Sequence, residues 1–229
     1  MVLKKNKVRQ RRQLIAHARS NSSIAEQYRN IRTNIEFAAV DKPIQSLLIT
    51  SPTSEAGKTT TAANLAVVFA QQGKKVLIVD TDLRKPVLHE LFQVDNKYGL
   101  TSALTGAQIL EDCIKPTEVN GLYVFPCGPI PPNPAELLGS ETMKETISHL
   151  HQIYDFIIFD TPPILAVSDA QILANQCHAS LLVIRCGVTE KADALKAKHI
   201  LGNTHGKLLG AILNDREQQK GEGYYYSQN

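Results

Sequence analysis

Leu47-Leu48-Ile49-Thr50-Ser51-Pro52-Thr53-Ser54-Glu55-Ala56-Gly57-Lys58-Thr59-Thr60 is the stretch that decides the fold. An apolar strand-forming run leads into a short polar loop, and Gly57-Lys58-Thr59 then opens a helix-forming segment. That arrangement holds nucleotide phosphates. The loop's backbone N–H groups and the helix N-terminus face the anion, Lys58 supplies a point charge, and the Thr59 hydroxyl can ligate Mg²⁺. Ser54, Glu55, Ala56, Gly57, Lys58, Thr59 and Thr60 are therefore candidate nucleotide-binding residues. The front of the loop is irregular, because the first glycine of the pattern G-x-x-x-x-G-K-[ST] falls on Pro52.

Around this loop the chain alternates strand and helix. Unbroken apolar runs at about 46–50, 75–80, 156–160, 180–185 and 208–213, with a short one at 122–125, read as parallel strands buried on both faces. Helices are expected over 58–72, with Gly73 at the end, over the stretch that closes at about 152, and over 190–203. Residues 86–120 read as helical or loop. Another helix opens at the capping box Ser23/Glu26 and runs to about 39, with Ile24, Tyr28, Ile31 and Ile35 as its apolar stripe and Asp41-Lys42-Pro43 as its stop. The prolines of 128–134 exclude regular structure there. The pattern predicts an α/β fold with a doubly wound, mainly parallel sheet. Its organisation is a basic arm over 1–22, one phosphate-loop domain over 23–216 and a polar tail over 217–229.

In such sheets ligands bind beyond the carboxyl ends of the strands. Two predicted strands end in carboxylates there, Asp80 with Asp82, and Asp160. Beside a phosphate loop they suit Mg²⁺, a hard ion held through oxygens and water. The bland readings are a loop-capping Asp160 and a helix-capping Asp80/Asp82 pair ahead of Pro86. Arg84-Lys85 reads either as phosphate-steadying or as a surface pair. Asn214 reads as a contact to a base or as a turn former.

Composition bounds the class. At 229 residues with 43% hydrophobic and 21% charged residues, the chain has the make-up of a globular domain with a sizeable core. No apolar run approaches the roughly 20 residues that span a bilayer. The N-terminus lacks the apolar segment of a secretory signal. Cys113, Cys127, Cys177 and Cys186 show no metal-ligand spacing and read as reduced thiols of a cytosolic protein. The net charge of +3 hides an asymmetry: residues 1–25 carry seven basic and no acidic side chains, leaving 18 basic against 22 acidic elsewhere. Such an arm suits an anionic partner such as a membrane surface, or a solvated tail. No aromatic residue interrupts the basic run, so nucleic acid is not the expected partner.

Taken together the motifs resemble a known family, the bacterial tyrosine kinases that control capsule and exopolysaccharide synthesis. The resemblance rests on Gly57-Lys58-Thr59-Thr60; on Leu77-Ile78-Val79-Asp80-Thr81-Asp82-Leu83-Arg84, similar to that family's Walker A′ motif; and on Ile157-Ile158-Phe159-Asp160-Thr161-Pro162-Pro163, similar to its Walker B motif. Glu26-x-x-Arg29-x-x-Arg32 resembles its self-association motif. Pro131-Pro132-Asn133-Pro134 with Glu136-Leu137-Leu138 is similar to its linker segment, and Tyr224-Tyr225-Tyr226 to its C-terminal tyrosine cluster.

The resemblance implies a fold like that of septum-positioning and partition ATPases, and transfer of phosphate from ATP·Mg²⁺ to tyrosine. Lys58 would bind the β/γ-phosphates. Thr59, Asp82 and Asp160 would hold Mg²⁺ directly or through water. Asp80 would take the proton from an incoming tyrosine hydroxyl or orient it. Tyr224, Tyr225 and Tyr226 would be the acceptors, offered to a neighbouring subunit of a homo-oligomeric ring formed through Glu26, Arg29 and Arg32. The implied partners are the cytoplasmic segment of a transmembrane activator and protein substrates of polysaccharide synthesis, which would place the chain at the inner face of the membrane. Pro52 and Glu55 depart from the family pattern. Glu55 stands where relatives have glycine, and its charge is unfavourable near triphosphate unless it points to solvent or to a cation. The competing functions are a positioning or partition-type ATPase switch, whose extra loop lysine is replaced here by Thr53, and a non-catalytic nucleotide-binding regulator.

Overall fold

In this computed structural model, which describes residues 14–39 and 43–216, the chain runs α1 (Ile15–Ala18), α2 (Ser23–Ala38), β1 (Ser46–Thr50), α3 (Lys58–Ala70), β2 (Val76–Asp80), α4 (Leu88–Phe92), α5 (Leu100–Leu104), α6 (Leu110–Cys113), β3 (Lys115–Pro116), β4 (Leu122–Phe125), α7 (Pro134–Leu138), α8 (Glu141–Ile153), β5 (Phe156–Asp160), α9 (Asp169–Ala174), β6 (Ala179–Arg185), α10 (Lys191–Gly202) and β7 (Lys207–Asn214). The basic residues between 4 and 12, the helix stop at Asp41-Lys42 and the tyrosines Tyr224, Tyr225 and Tyr226 lie outside the described residues.

The strands form one sheet in the order β3-β4-β2-β5-β1-β6-β7, parallel except for β3 against β4. Parallel neighbours bring the carboxyl ends of β1, β2 and β5 to one edge, with Asp80 directly beside Asp160 in the register. The unbroken apolar runs serve two cores, because successive side chains leave a strand on opposite faces. Leu47, Ile49, Val76, Ile78, Phe156 and Ile158 enter the core under α3. Leu48, Leu77, Val79, Ile157 and Phe159 enter the one beneath α8 and α9. Fully burying one such side chain contributes about 1.5–3 kcal/mol.

Helix α3 is buried nearly all round, since α1 and α2 cover the side away from the sheet. Its one amide there is satisfied on both atoms: Asn64 Oδ1 accepts from the N–H of Ala16 and Nδ2 donates to the Thr60 carbonyl. Leu14 packs against this core and Ala16 lies within it, so the start of the described chain docks on α3.

Packing moved several predicted boundaries. The cap of α2 is Ser22, one residue before the predicted Ser23, with its Oγ accepting from the Ala25 N–H. Docking on α3 turns Ala25 and Ile35 inward and leaves Ile24 exposed. Glu26 then pairs with Arg29 instead of closing the cap. Pro134, expected to be irregular, opens α7 at the first helical position, where a missing N–H costs nothing. The helix predicted to end near 152 breaks at Gly139-Ser140, and Ser140 caps its second half.

Below the sheet, at the amino ends of β1 and β6, the rings of His151 and His178 lie 5.0 Å apart and Ser46 Oγ is 2.8 Å from His178 Nδ1. Burial first, and His178 second, hold the pKa of His151 below its ordinary value. The unfolded chain therefore binds the proton that the fold resists, so this contribution is complete above about pH 6.5 and is lost as pH falls. Chemical denaturation should show stability dropping as pH falls below about 6.5, and a smaller drop in His151→Gln. Equal drops in both proteins would remove His151 as the cause.

Candidate phosphate and metal site

The loop between β1 and α3 is shaped by two left-handed residues. Gly57 has φ +91° and Glu55 φ +62°. A glycine at position 55 would adopt the latter freely, whereas glutamate does so at a cost. Its side chain is exposed, as is Ser54, so the charge that departs from the family pattern is directed into solvent. Pro52 is buried and Ser51 Oγ donates to the Thr53 carbonyl, tightening the loop's first turn. Ala56 is buried, and its carbonyl accepts from Asn214 Nδ2 at the end of β7 (2.9 Å). Asn214 thus buttresses the loop from outside. A Cβ on Gly57 would stand 2.2 Å from that same Nδ2.

The side chains of the first helical turn meet the two acidic strand ends. Lys58 Nζ lies 3.2 Å from Asp82 Oδ2, 3.7 Å from Asp160 Oδ1 and 3.4 Å from Thr59 Oγ1. Burial opposes the charge on Lys58, but the fields of Asp160 and Asp82 outweigh it and hold the ammonium's pKa above its ordinary value. Asp80 stands behind this group, fully buried. Its Oδ2 accepts from the N–H groups of Val87 and Leu88 at the start of α4, while Oδ1 is buried with no hydrogen-bond partner. The helix-capping reading of Asp80 therefore holds for one carboxylate oxygen and leaves the other available. Burial, followed by repulsion from Asp160, pushes its pKa up to about 8.

Three threonines missed in the sequence reading lace these strand ends together. Thr81 Oγ1 donates to the Asp160 carbonyl, Thr161 Oγ1 to that of Ile49 and Thr50 Oγ1 to that of Pro162. Their signal was present, since each is the last residue of a strand or the first beyond it. Arg84, left between two readings, donates through Nε and Nη2 to both oxygens of Asp169, a residue the sequence reading did not single out.

Among the described residues no cluster of three or more histidine, cysteine or acidic side chains forms a metal cage. Mg²⁺ needs no such cage, since it takes one or two carboxylates and completes its shell with water and phosphate oxygens. The buried hydroxyl of Thr59 and the carboxylates of Asp82 and Asp160 could supply oxygen ligands to such an ion.

The remaining predicted site residues stand elsewhere. Glu26, Arg29 and Arg32 lie on α2, which packs against α3. Arg29 pairs with Glu26 at 2.6 Å and also donates to the Ser20 carbonyl, while Arg32 donates to the Val68 carbonyl in the last turn of α3, where helical donors run out.

A strand-loop-helix phosphate site on a mainly parallel sheet, with acids on two neighbouring strands, defines a phosphate-loop nucleotide-binding protein. The AAA domain family matches residues 48–192. The chain is 53% identical to the tyrosine-protein kinase YwqD of Bacillus subtilis over 99% of its own length and 96% of that protein's. It is 43% identical to the putative tyrosine-protein kinase CapB of Staphylococcus aureus over 93% of each. It belongs to the family of bacterial tyrosine-protein kinases. Among solved structures, the chimerical protein CapA2B2 superposes with a TM-score of 0.87 at 42% identity, over 90% of each chain. The septum site-determining protein MinD of Pyrococcus horikoshii, complexed with Mg-ADP, superposes at 0.66 and 30% identity, over 77% of this chain and 72% of that one. The expected likeness to positioning ATPases is thus present in the fold.

Gly57→Ala places a side chain at φ +91° and against Asn214, so titration with a fluorescent ADP analogue should show affinity at least about tenfold lower. Adding Asn214→Ala removes the clash but not the backbone strain, and should restore only part of the loss.

Proposed function

We propose that this chain is an ATP-dependent protein-tyrosine kinase that phosphorylates the Tyr224, Tyr225 and Tyr226 cluster of a neighbouring copy and acts in capsule or exopolysaccharide synthesis. The observation that carries the reading is the convergence of Lys58, Thr59, Asp82 and Asp160, with the unpartnered Oδ1 of Asp80 behind them, in a chain of this family. Phosphoryl transfer asks the protein for positioning and for neutralisation of spreading negative charge. The loop N–H groups and Lys58 would cradle the β- and γ-phosphates. Thr59, Asp82 and Asp160 would hold Mg²⁺, which when bound would neutralise charge on the same phosphate oxygens. The tyrosine oxygen forms a bond to the γ-phosphorus as the bond to the β,γ-bridging oxygen breaks. The phenolic proton passes to Asp80 and ADP leaves. Only the ionised form of Asp80 can accept that proton, and Mg²⁺ held beside Asp82 and Asp160 would favour it by offsetting the repulsion from Asp160 that helps raise its pKa.

The partner would be the cytoplasmic segment of a membrane-bound activator. The chimeric CapA2B2, whose structure this chain resembles, supports that reading. Among the described residues no helix is long and apolar enough to cross a membrane, so recruitment would come from the activator, with the basic arm near anionic lipid. Self-association through α2 would present one copy's tail to the next copy's site. Added phosphate, about −1.5 to −2 charges per tyrosine, would then disfavour the tail beside Asp80, Asp82 and Asp160 and loosen the ring.

The deciding measurement is phosphotyrosine formed from labelled ATP and Mg²⁺, with and without the activator segment. Wild type should label, while Lys58→Met and the Tyr224/225/226→Phe variant should not. Phosphate release without phosphotyrosine would favour the positioning-ATPase reading. Tight nucleotide binding with neither product would favour the non-catalytic regulator.

Arg29→Ala tests the oligomer with little risk to the fold, because its exposed pair with Glu26 is worth only about 0.2–0.5 kcal/mol. Light scattering should report smaller assemblies than wild type, with the melting temperature nearly unchanged. Wild-type assembly would remove this face of α2 from the interface.

A further inference from the structure

Asp169 is fully buried in the first turn of α9, beside the equally buried Ala170 and Leu173. A carboxylate in that position is costly unless its charge is met and its oxygens are hydrogen-bonded. Arg84 meets both conditions through two parallel bonds, Nε to Oδ2 at 2.9 Å and Nη2 to Oδ1 at 3.1 Å. The Arg84 side chain is 42% exposed. The pair is therefore not a stability device of the simple kind, since an apolar residue at 169 would pack in the same place without needing a partner.

What the pair joins is more telling. Arg84 lies two residues beyond Asp82, in a turn held at three points. Asp82 Oδ1 accepts from the Lys85 N–H, Leu83 is fully buried in the core beneath α8, and Arg84 reaches Asp169. Asp169 in turn opens the helix that follows the loop from Asp160. The Thr81 N–H and its Oγ1 both donate to the Asp160 carbonyl and already fix Asp160 against Thr81. Beyond Thr81 the chain leaves the sheet, so the ladder no longer dictates where Asp82 stands.

We propose that Arg84 and Asp169 form a positioning clamp that sets Asp82 at the separation from Asp160 and Thr59 required for Mg²⁺. A planar, bidentate fork suits this task because it fixes direction as well as distance, which a lysine point charge does not. Loss of the fork leaves the phosphate loop in place, with Lys58 still paired to Asp160, and lets the turn carrying Asp82 drift. The clamp should therefore govern how strongly Mg²⁺ enhances nucleotide binding, rather than nucleotide binding itself.

This inference rests on Asp82 being a Mg²⁺ ligand, and the test separates the two. Affinity for a fluorescent ADP analogue is measured on the full-length protein in EDTA and in saturating Mg²⁺, for wild type, Arg84→Lys, Arg84→Ala, Asp169→Asn and Asp82→Asn, with a melting curve for each. Expected is a Mg²⁺ enhancement reduced about tenfold in Arg84→Ala and Asp169→Asn, and by less in Arg84→Lys, with affinity in EDTA changed by under about twofold. Where Arg84→Ala or Asp169→Asn fails to fold with a buried group unpaired, Arg84→Lys decides. An unchanged enhancement in the Arg84 and Asp169 variants, alongside a lost one in Asp82→Asn, overturns the clamp and spares the ligand assignment. An unchanged enhancement in Asp82→Asn overturns the ligand assignment, and the clamp with it. Equal losses in EDTA and in Mg²⁺ mark a general loosening and overturn the clamp.

Discussion

A lysine side chain that is only 13% exposed needs opposite charge around its ammonium, and Lys58 finds it in Asp82 and Asp160. The requirement is reciprocal. Three carboxylates gathered at neighbouring strand ends repel one another, and one of them, Asp80, is already pushed toward its neutral form. Removing one partner from a buried pair costs about 3–5 kcal/mol, against the few tenths expected of an exposed helical pair such as Glu26 with Arg29. Loop conformation, strand register and the order of the sheet must together bring Asp82 to 3.2 Å and Asp160 to 3.7 Å from the Lys58 ammonium. Much of the structure follows from that demand.

The architecture meets it by putting chemistry on rigid supports. Side chains from β1, β2 and β5 are locked between two cores, so the strand ends cannot drift, and hydroxyl-to-carbonyl bonds from Thr50, Thr81 and Thr161 stitch those ends together where the sheet ladder stops. Helix α3 carries Lys58 and Thr59 and is packed on nearly every side, so its N-terminus is as fixed as the sheet. Asn214 reaches the loop from the opposite flank and leaves room only for a glycine at position 57. A substrate entering such a site would meet groups set in advance, which is how electrostatic catalysis avoids the cost of reorganisation.

The parts of this protein that came directly from the sequence are those in which local chemistry and tertiary need agree. Unbroken apolar runs declared strands buried on both faces. Gly57-Lys58-Thr59 declared the phosphate loop, and Asp80, Asp82 and Asp160 were legible because each closes or follows such a run. The family motifs, read in order, led to the tyrosine kinases, and the relatives bear that out. Where two local solutions were available, the sequence misled or was silent. Ser22 and Ser23 can each cap a helix; the Ser23/Glu26 spacing favoured Ser23, and the structure uses Ser22. Pro134 reads as a helix breaker until it is known to be the first helical residue. Arg84 and Asp169 are 85 positions apart, and nothing in either segment announces their pairing. The parallel strands and the loop, with acids at the strand ends, were legible in the sequence alone, because periodicity and residue chemistry act over a few positions, whereas the short antiparallel β3 fell in a stretch read as helical or loop. The clamp, the threonine lacing and the division of labour between the two oxygens of Asp80 were decided only by the tertiary structure, because each depends on which distant backbone arrives within hydrogen-bonding reach.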